Sequence, residues 1–185
     1  MKPTPELPFL LAGPILRKST AEELVFWLVT SRPLEGQFVL HHEPDHGVVF
    51  QEDLSHCHQI QVGTRCFVTL AHFKHHFPTD VALSYEFETQ IGPLSQLNPH
   101  LLYKDEEKLT FKISTKADYV LHGSCRNPHH PSKDALVSID TKLAAQSLNE
   151  RPDMLVMSGD QIYADHVAGP MLDVILQTID MLGLP

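Results

Sequence analysis

Short apolar segments separated by turn-forming residues fill most of the first 115 positions, and this alternation of segments and turns restricts the fold more than any other feature. The segments have the length and the β-branched and aromatic content of strands. Val81, Leu83, Tyr85 and Phe87 share one face at strand spacing. The predicted strands are residues 24–30, 37–41, 48–51, 59–62, 65–71, 81–89 and 109–113, with a tight hairpin turn at 63–64. This pattern predicts an antiparallel β-sandwich over residues 1–115, with residues 90–107 as a surface connector.

The pattern changes after residue 115. Residues 119–122 and 154–157 are strand candidates, and the second is apolar without alternation, as expected when both faces of a strand are covered. Residues 134–148 have helical spacing with Ser132 as the candidate N-cap. A second helix is predicted from Pro170 as its first residue to Gly183 just after its end. Residues 116–185 therefore predict strand–helix–strand–helix, and the whole chain an α+β fold.

Two predicted strands end in residues that can carry chemistry. Residues 123–130 read GSCRNPHH after the first strand, and residues 158–165 read SGDQIYAD after the second. If the strands are parallel neighbours, Cys125 and Asp160 reach the same rim, where ligands gather in open α/β sheets. Thiolate, carboxylate and the phenol oxygen of Tyr163 are plausible donors for a transition metal. Taken singly, each has a plain alternative: a Gly-Asp turn, an inert thiol, or a half-buried tyrosine.

The stretch GDQIY at residues 159–163 resembles the GDxxY block of metallophosphoesterases. Together with the upstream Gly-Ser-Cys-Arg at residues 123–126, it is similar to the PhoD-type alkaline phosphatase/phosphodiesterase family. AGPILR at residues 12–17, before the first predicted strand, resembles the opening of that family's sandwich more weakly. The resemblance implies an N-terminal β-sandwich followed by the first strand–helix units of a calcineurin-like catalytic domain, and hydrolysis of phosphate mono- or diesters.

The resemblance also implies roles for individual residues. Cys125 and Tyr163 would ligate a ferric ion, and Asp160 would bridge this ion to a second divalent ion, calcium in this family. Arg126 would meet the substrate phosphate, because guanidinium geometry matches phosphate. The residues implied to orient the ligands are Asp165 and His166.

The family's remaining ligands are an Asn or Asp-rich block and a late Gly-His-x-His-like segment, and this sequence contains neither. We therefore expect the chain to be the N-terminal portion of a longer enzyme, or a truncated product, and to be inactive alone. We also expect its partial α/β unit to expose apolar faces and to self-associate.

Two other function classes remain open. The sandwich could be a non-catalytic binding module for carbohydrate or protein, with a vestigial α/β segment. Alternatively, Cys125 could serve a redox or metal-sensing role, which requires an exposed thiolate of low pKa. The histidines at 56 and 58 and at 72 and 76 are better explained by polar strand faces than by a zinc site.

Bulk properties exclude several classes. A net charge of −9 argues against a general nucleic-acid binder. The three cysteines lack the spacing of a disulfide scaffold or a zinc ribbon. No apolar window reaches the roughly 20 residues of a membrane span, and the N-terminus has no good signal peptide or twin-arginine pair. We therefore expect a cytoplasmic protein that binds neither nucleic acid nor membrane.

Overall fold

A computed structural model describes residues 6–103, 105–127, 130–163 and 167–185 of the chain. The strands are β1 Leu10–Ser19, β2 Glu23–Thr30, β3 Gly36–His42, β4 Gly47–Asp53, β5 His58–Gly63, β6 Cys66–Lys74, β7 Ala82–Thr89, β8 Gly92–Pro93, β9 Leu109–Lys112, β10 Val120–Ser124 and β11 Met154–Ser158. The helices are α1 Leu94–Leu97, α2 Ala135–Ala144 and α3 Gly169–Leu182. Antiparallel β-structure dominates and helices are few, an arrangement compatible with the predicted α+β class.

Two antiparallel sheets form the first part of the chain. One has the strand order β1-β2-β6-β5, and the other has the order β4-β3-β7, with β8 and β9 both pairing along the free side of β7. The alternating apolar residues of both sheets meet in an aromatic core. Phe38 of β3 stacks on Phe73 of β6 with ring centroids 4.3 Å apart, and Phe26 of β2 lies 5.3 Å from Phe38. Every fully buried hydrophobic side chain of the described residues belongs to these sheets and their connections.

All seven predicted strands of this region are observed, and Leu83 and Phe87 of β7 are buried on the predicted face. Strand β1 was not predicted, because register shifts at three places along its pairing with β2 interrupt the alternation. The prediction that residues 90–107 form only a surface connector is wrong at its start. Leu94 of α1 is fully buried, and its carbonyl accepts a hydrogen bond from the Asn98 side chain at 3.1 Å.

The second part of the chain has the predicted order of strand, helix, strand and helix. Asp134, not Ser132, caps α2: its carboxylate accepts a 3.0 Å hydrogen bond from the Leu136 N–H. Helix α2 also ends at Ala144, earlier than predicted. Pro170 is the second residue of α3, after Gly169. Gly183 ends α3 with a φ of 61°, the left-handed conformation that favours glycine there.

Strands β10 and β11 form a parallel pair whose two faces are open. All five residues of β11 are exposed, and the described chain contains no buried residue in α2 or α3. The prediction that both faces of this strand are covered is therefore wrong, since neither helix packs closely enough to bury it. Apolar side chains of α3 such as Val174 and Leu176 are more than half exposed.

Several contacts join the second part to the first. Arg151 pairs with Glu106 at 2.5 Å, and the Tyr103 hydroxyl donates to Asp140 at 3.1 Å. The backbone N–H groups of Thr64 and Arg65, in the β5–β6 turn, donate to the carbonyls of Gly183 and Leu182 at 3.1 and 2.9 Å. Asp153, just before β11, accepts hydrogen bonds from the segment that follows β9. Among the described residues, no helix is both long enough and apolar enough to cross a bilayer.

Candidate metal centre

The ends of β10 and β11 lie side by side, as the sequence hypothesis required. The strands pair in parallel register, with Ser124 opposite Ser158. The pairing continues beyond the strands: Cys125 N–H donates to the Ser158 carbonyl at 3.0 Å, and Arg126 N–H donates to the Asp160 carbonyl at 2.8 Å. These bonds hold the two loops together and place Cys125 beside the Gly159–Asp160 turn.

Both loops turn through left-handed backbone conformations. Cys125 has a φ of 49°, which is rare for a residue with a side chain. Gly159 has a φ of 68°, and a Cβ atom there would lie 2.6 Å from the Cys125 Sγ. The glycine therefore makes the room that the sulfur occupies. Backbone strain in a non-glycine residue is often kept at functional sites.

The Cys125 sulfur is exposed and receives hydrogen bonds from three directions. Ser124 Oγ donates to it at 3.4 Å, and the Tyr163 hydroxyl and the Asp160 backbone N–H also donate. These hydrogen bonds favour the thiolate and lower the pKa of Cys125, against the opposing effects of desolvation and the Asp160 carboxylate. The structure thus brings Cys125 and Tyr163 into direct contact, and the loop of Asp160 touches the same sulfur.

Neighbouring polar residues that the sequence reasoning missed support the rim. The Gln161 amide donates to the carbonyls of Ser158 and Gly159 at 2.9 and 3.3 Å, which fixes the turn. His122 Nε2 lies 2.8 Å from Ser158 Oγ across the two strands. His122 is two residues before Ser124, so strand periodicity puts both on one face, and that spacing was a usable signal.

Arg126 is engaged elsewhere in this structure. Its Nε and Nη2 both donate to one carboxylate oxygen of Asp134, at 2.9 and 2.5 Å. This contact lowers the pKa of Asp134 and anchors the loop after β10 to the start of α2. A substrate phosphate would have to compete with Asp134 for the guanidinium.

The other predicted residues, Asp165 and His166, lie outside the described residues. Within the described chain, no three His, Cys, Asp or Glu side chains gather as a metal site. Two of the histidines considered for zinc each pair with one carboxylate instead, His56 with Glu52 and His72 with Glu23.

The donor set suits one ion better than two. Thiolate, phenolate and carboxylate together fit an iron(III) ion, because hard oxygen donors and one sulfur share the rim. Calcium takes six to eight oxygen ligands, and within the described part of this rim only Asp160 offers a carboxylate. The donors present therefore fit part of the coordination shell of one metal ion. The chain matches no protein-family model, no curated protein and no solved structure.

Proposed function

We propose that Cys125, Tyr163 and Asp160 bind iron(III) as part of a centre that hydrolyses phosphate mono- or diesters. The observation that carries this proposal is the meeting of the three residues beyond the ends of two parallel strands. Residues 116–185 would be the first strand–helix units of a metallophosphoesterase domain. The parallel pairing of β10 and β11 around α2 supports this assignment, since such crossovers build α/β sheets.

The chain's own residues have distinct tasks in this proposal. Cys125 supplies a thiolate and Tyr163 a phenolate, and each gives up its proton when it ligates the ion. Asp160 would offer a carboxylate to the iron and to a second divalent ion, calcium, whose remaining oxygen ligands the described residues do not supply. Gly159 and Gln161 hold the turn that presents Asp160.

Substrate binding would involve Arg126 after its release from Asp134, since the fork of a guanidinium binds phosphate at two oxygens. When bound, the metal ions polarise the phosphoryl group and lower the pKa of a coordinated water. Asp165 and His166 would orient the ligands. Because the described residues offer three donors to one ion, we expect this chain to bind iron and to hydrolyse phosphate esters little.

The test is iron(III) binding to the purified chain, followed by the visible charge-transfer band that a tyrosinate ligand produces and by the metal content after gel filtration. We expect the band in the unmodified chain and its loss in Tyr163→Phe. Tyr103→Phe is the matched control, because the Tyr103 hydroxyl contacts Asp140 at 3.1 Å instead of the rim. An absent band, or one that persists in Tyr163→Phe, would refute the iron site.

Hydrolysis is measured separately with p-nitrophenyl phosphate and its bis ester, in the presence of iron(III) and calcium. Any turnover should disappear in Asp160→Asn. Turnover that survives this substitution would show that the activity comes from another site or a contaminant.

A second candidate is a non-catalytic binding module, and the location of the core favours it. Among the described residues, burial is confined to positions 9–113, so the sandwich holds all the tight packing. A binding activity of the sandwich should be unchanged by Cys125→Ser and Asp160→Asn. Loss of binding in either variant would exclude this candidate.

A further inference from the structure

A cavity of about 270 Å³ opens on the sandwich where the turn after β2 meets the turn between β5 and β6. We name it the Arg32–Arg65 cavity after the two arginines in its lining, which also includes Ser31, Thr64, Phe67 and Glu6. It shares no residue with the rim at Cys125. Its volume is near the lower end of the range for small-molecule pockets.

Ser31 forms part of the cavity wall and carries an unpartnered hydroxyl. The residue is 6% exposed, and its Oγ has no hydrogen-bond partner among the described residues. Its backbone N–H is already used, because it donates to the Phe9 carbonyl at 2.8 Å. Buried hydroxyls are nearly always hydrogen-bonded, so this one points to a missing partner.

The charge around the cavity is positive in a chain that is acidic overall. Arg32 and Arg65 outweigh the single carboxylate of Glu6, whereas the chain carries a net charge of −9. Arg32 is exposed, and no ion pair with its guanidinium occurs in the part of the chain that the structure describes. Guanidinium groups donate two parallel hydrogen bonds to carboxylate and phosphate oxygens.

The two backbone segments that carry the arginines are held in place. On one side, the Arg32 carbonyl accepts a hydrogen bond from Thr30 Oγ1 at 2.6 Å, and the Pro33 carbonyl accepts one from the Gln90 side chain at 2.6 Å. On the other side, the Arg65 N–H donates to the end of α3 at 2.9 Å. A ligand would therefore order the exposed Arg32 side chain but not the backbone, which reduces the entropic cost of binding.

We propose that the Arg32–Arg65 cavity binds a small oxyanion, a molecule with one carboxylate or one phosphate group. Arg32 and Arg65 donate to its oxygens, and the Ser31 hydroxyl completes the contacts at the wall. Glu6 limits the site to ligands of low total charge, because a second anionic group near it would be repelled.

The test is a titration of ¹⁵N-labelled chain with sodium phosphate and, separately, with sodium acetate, at ionic strength held constant with sodium chloride. We expect saturable amide shifts at Ser31, Arg32, Thr64 and Arg65 with at least one of the two anions. The anion that saturates identifies the chemistry: acetate alone indicates a carboxylate ligand, and phosphate alone a phosphate ligand. If neither anion saturates beyond the chloride control, the proposal is wrong.

Variants separate the site from general charge effects. Arg32→Ala should weaken binding about tenfold, because it removes a charge-assisted donor pair. Arg17→Ala is the matched control, since Arg17 is an exposed arginine of β1 that does not line the cavity. Ser31→Ala should weaken binding by about threefold, through loss of one neutral hydrogen bond.

Arg32→Lys keeps the positive charge but loses the two parallel donors of the guanidinium, so its affinity for the anion should lie between those of the unmodified chain and Arg32→Ala. This variant also controls for a folding defect in Arg32→Ala. Equal weakening by Arg17→Ala and Arg32→Ala would overturn the proposal. The proposal would also be overturned if both single variants, Ser31→Ala and Arg32→Ala, bound the anion as tightly as the unmodified chain.

Discussion

Asp153 joins the second part of the chain to the sheets, and its removal gives a quantitative prediction. Its side chain is 12% exposed. One carboxylate oxygen accepts from the backbone N–H groups of Asp118 and Tyr119 at 3.1 and 3.0 Å. The other accepts from the Ser114 hydroxyl, and Lys112 Nζ lies 4.0 Å away. Together these bonds fix the connection between β9 and β10 to the start of β11.

The expected cost follows from the hydrogen bonds lost. Asp153→Ala removes the acceptor of three charge-assisted bonds. Asp153 lines a cavity of about 400 Å³ together with Lys112 and Ser114, so water can replace part of the lost acceptor. At about 1 kcal/mol for each bond, the free energy of unfolding falls by about 3 kcal/mol. Asp153→Asn keeps one acceptor for the two backbone N–H groups and loses the charge and the attraction to Lys112, so we expect about 1 kcal/mol.

The assay must distinguish the two parts of the chain. Hydrogen exchange of the β10 and β11 amides reports the second part, and fluorescence of Trp27, the single tryptophan, reports the sandwich during urea unfolding. In Asp153→Ala, protection in β10 and β11 should fall by about a hundredfold, or to the unprotected rate, while the Trp27 transition stays in place. Asp118→Ala is the control, because it removes an exposed carboxylate from the same segment.

The pH dependence has a fixed sign. The hydrogen bonds from Ser114 and Tyr119 lower the pKa of Asp153 in the folded chain. Its stabilising contribution is therefore present above the unfolded pKa of about 3.9 and is lost as the pH falls through the folded value. The difference in stability of the second part between the unmodified chain and Asp153→Asn should be at its full value at pH 7 and should shrink below about pH 4. A difference that grows on acidification, or a Trp27 transition that shifts as much as the exchange rates, would refute the reasoning.

Three further predictions test the rim and the core. Gly159→Ala should abolish iron binding and lower local protection, because the φ of 68° and the 2.6 Å approach to Sγ exclude a Cβ; unchanged iron content would contradict this. Iodoacetamide should label the exposed Cys125 much faster than Cys57, because burial raises the pKa of Cys57 to about 11. Iron should slow the labelling of Cys125. Mass spectrometry that shows equal labelling rates for the two cysteines, or the same Cys125 rate with and without iron, would contradict these expectations. Phe38→Ala should lower the free energy of unfolding by about 3–5 kcal/mol in urea, because it removes a fully buried ring between the sheets. A cost below about 1 kcal/mol would show that the core collapses around the gap.

Much of the fold was predictable because strands and helices leave periodic signatures in the local sequence. Residues 81–89 alternate, and β7 buries the predicted face. Local signals failed where the chain departs from regular geometry: the register shifts of β1 removed its alternation, and the buried turn at Leu94 has no period. The apolar content of β11 also led to a wrong prediction, that both of its faces are covered, because the composition of a strand does not specify what packs against it.

The sequence alone determined which residues stand at the ends of β10 and β11, because a strand's end is a local property. Only the tertiary structure decided how they meet. Parallel pairing placed Gly159 against the Cys125 sulfur, and the guanidinium of Arg126 went to Asp134, eight residues away. Partners of this kind depend on register and loop closure, so they follow from the free energy of the whole chain rather than from any short stretch of it.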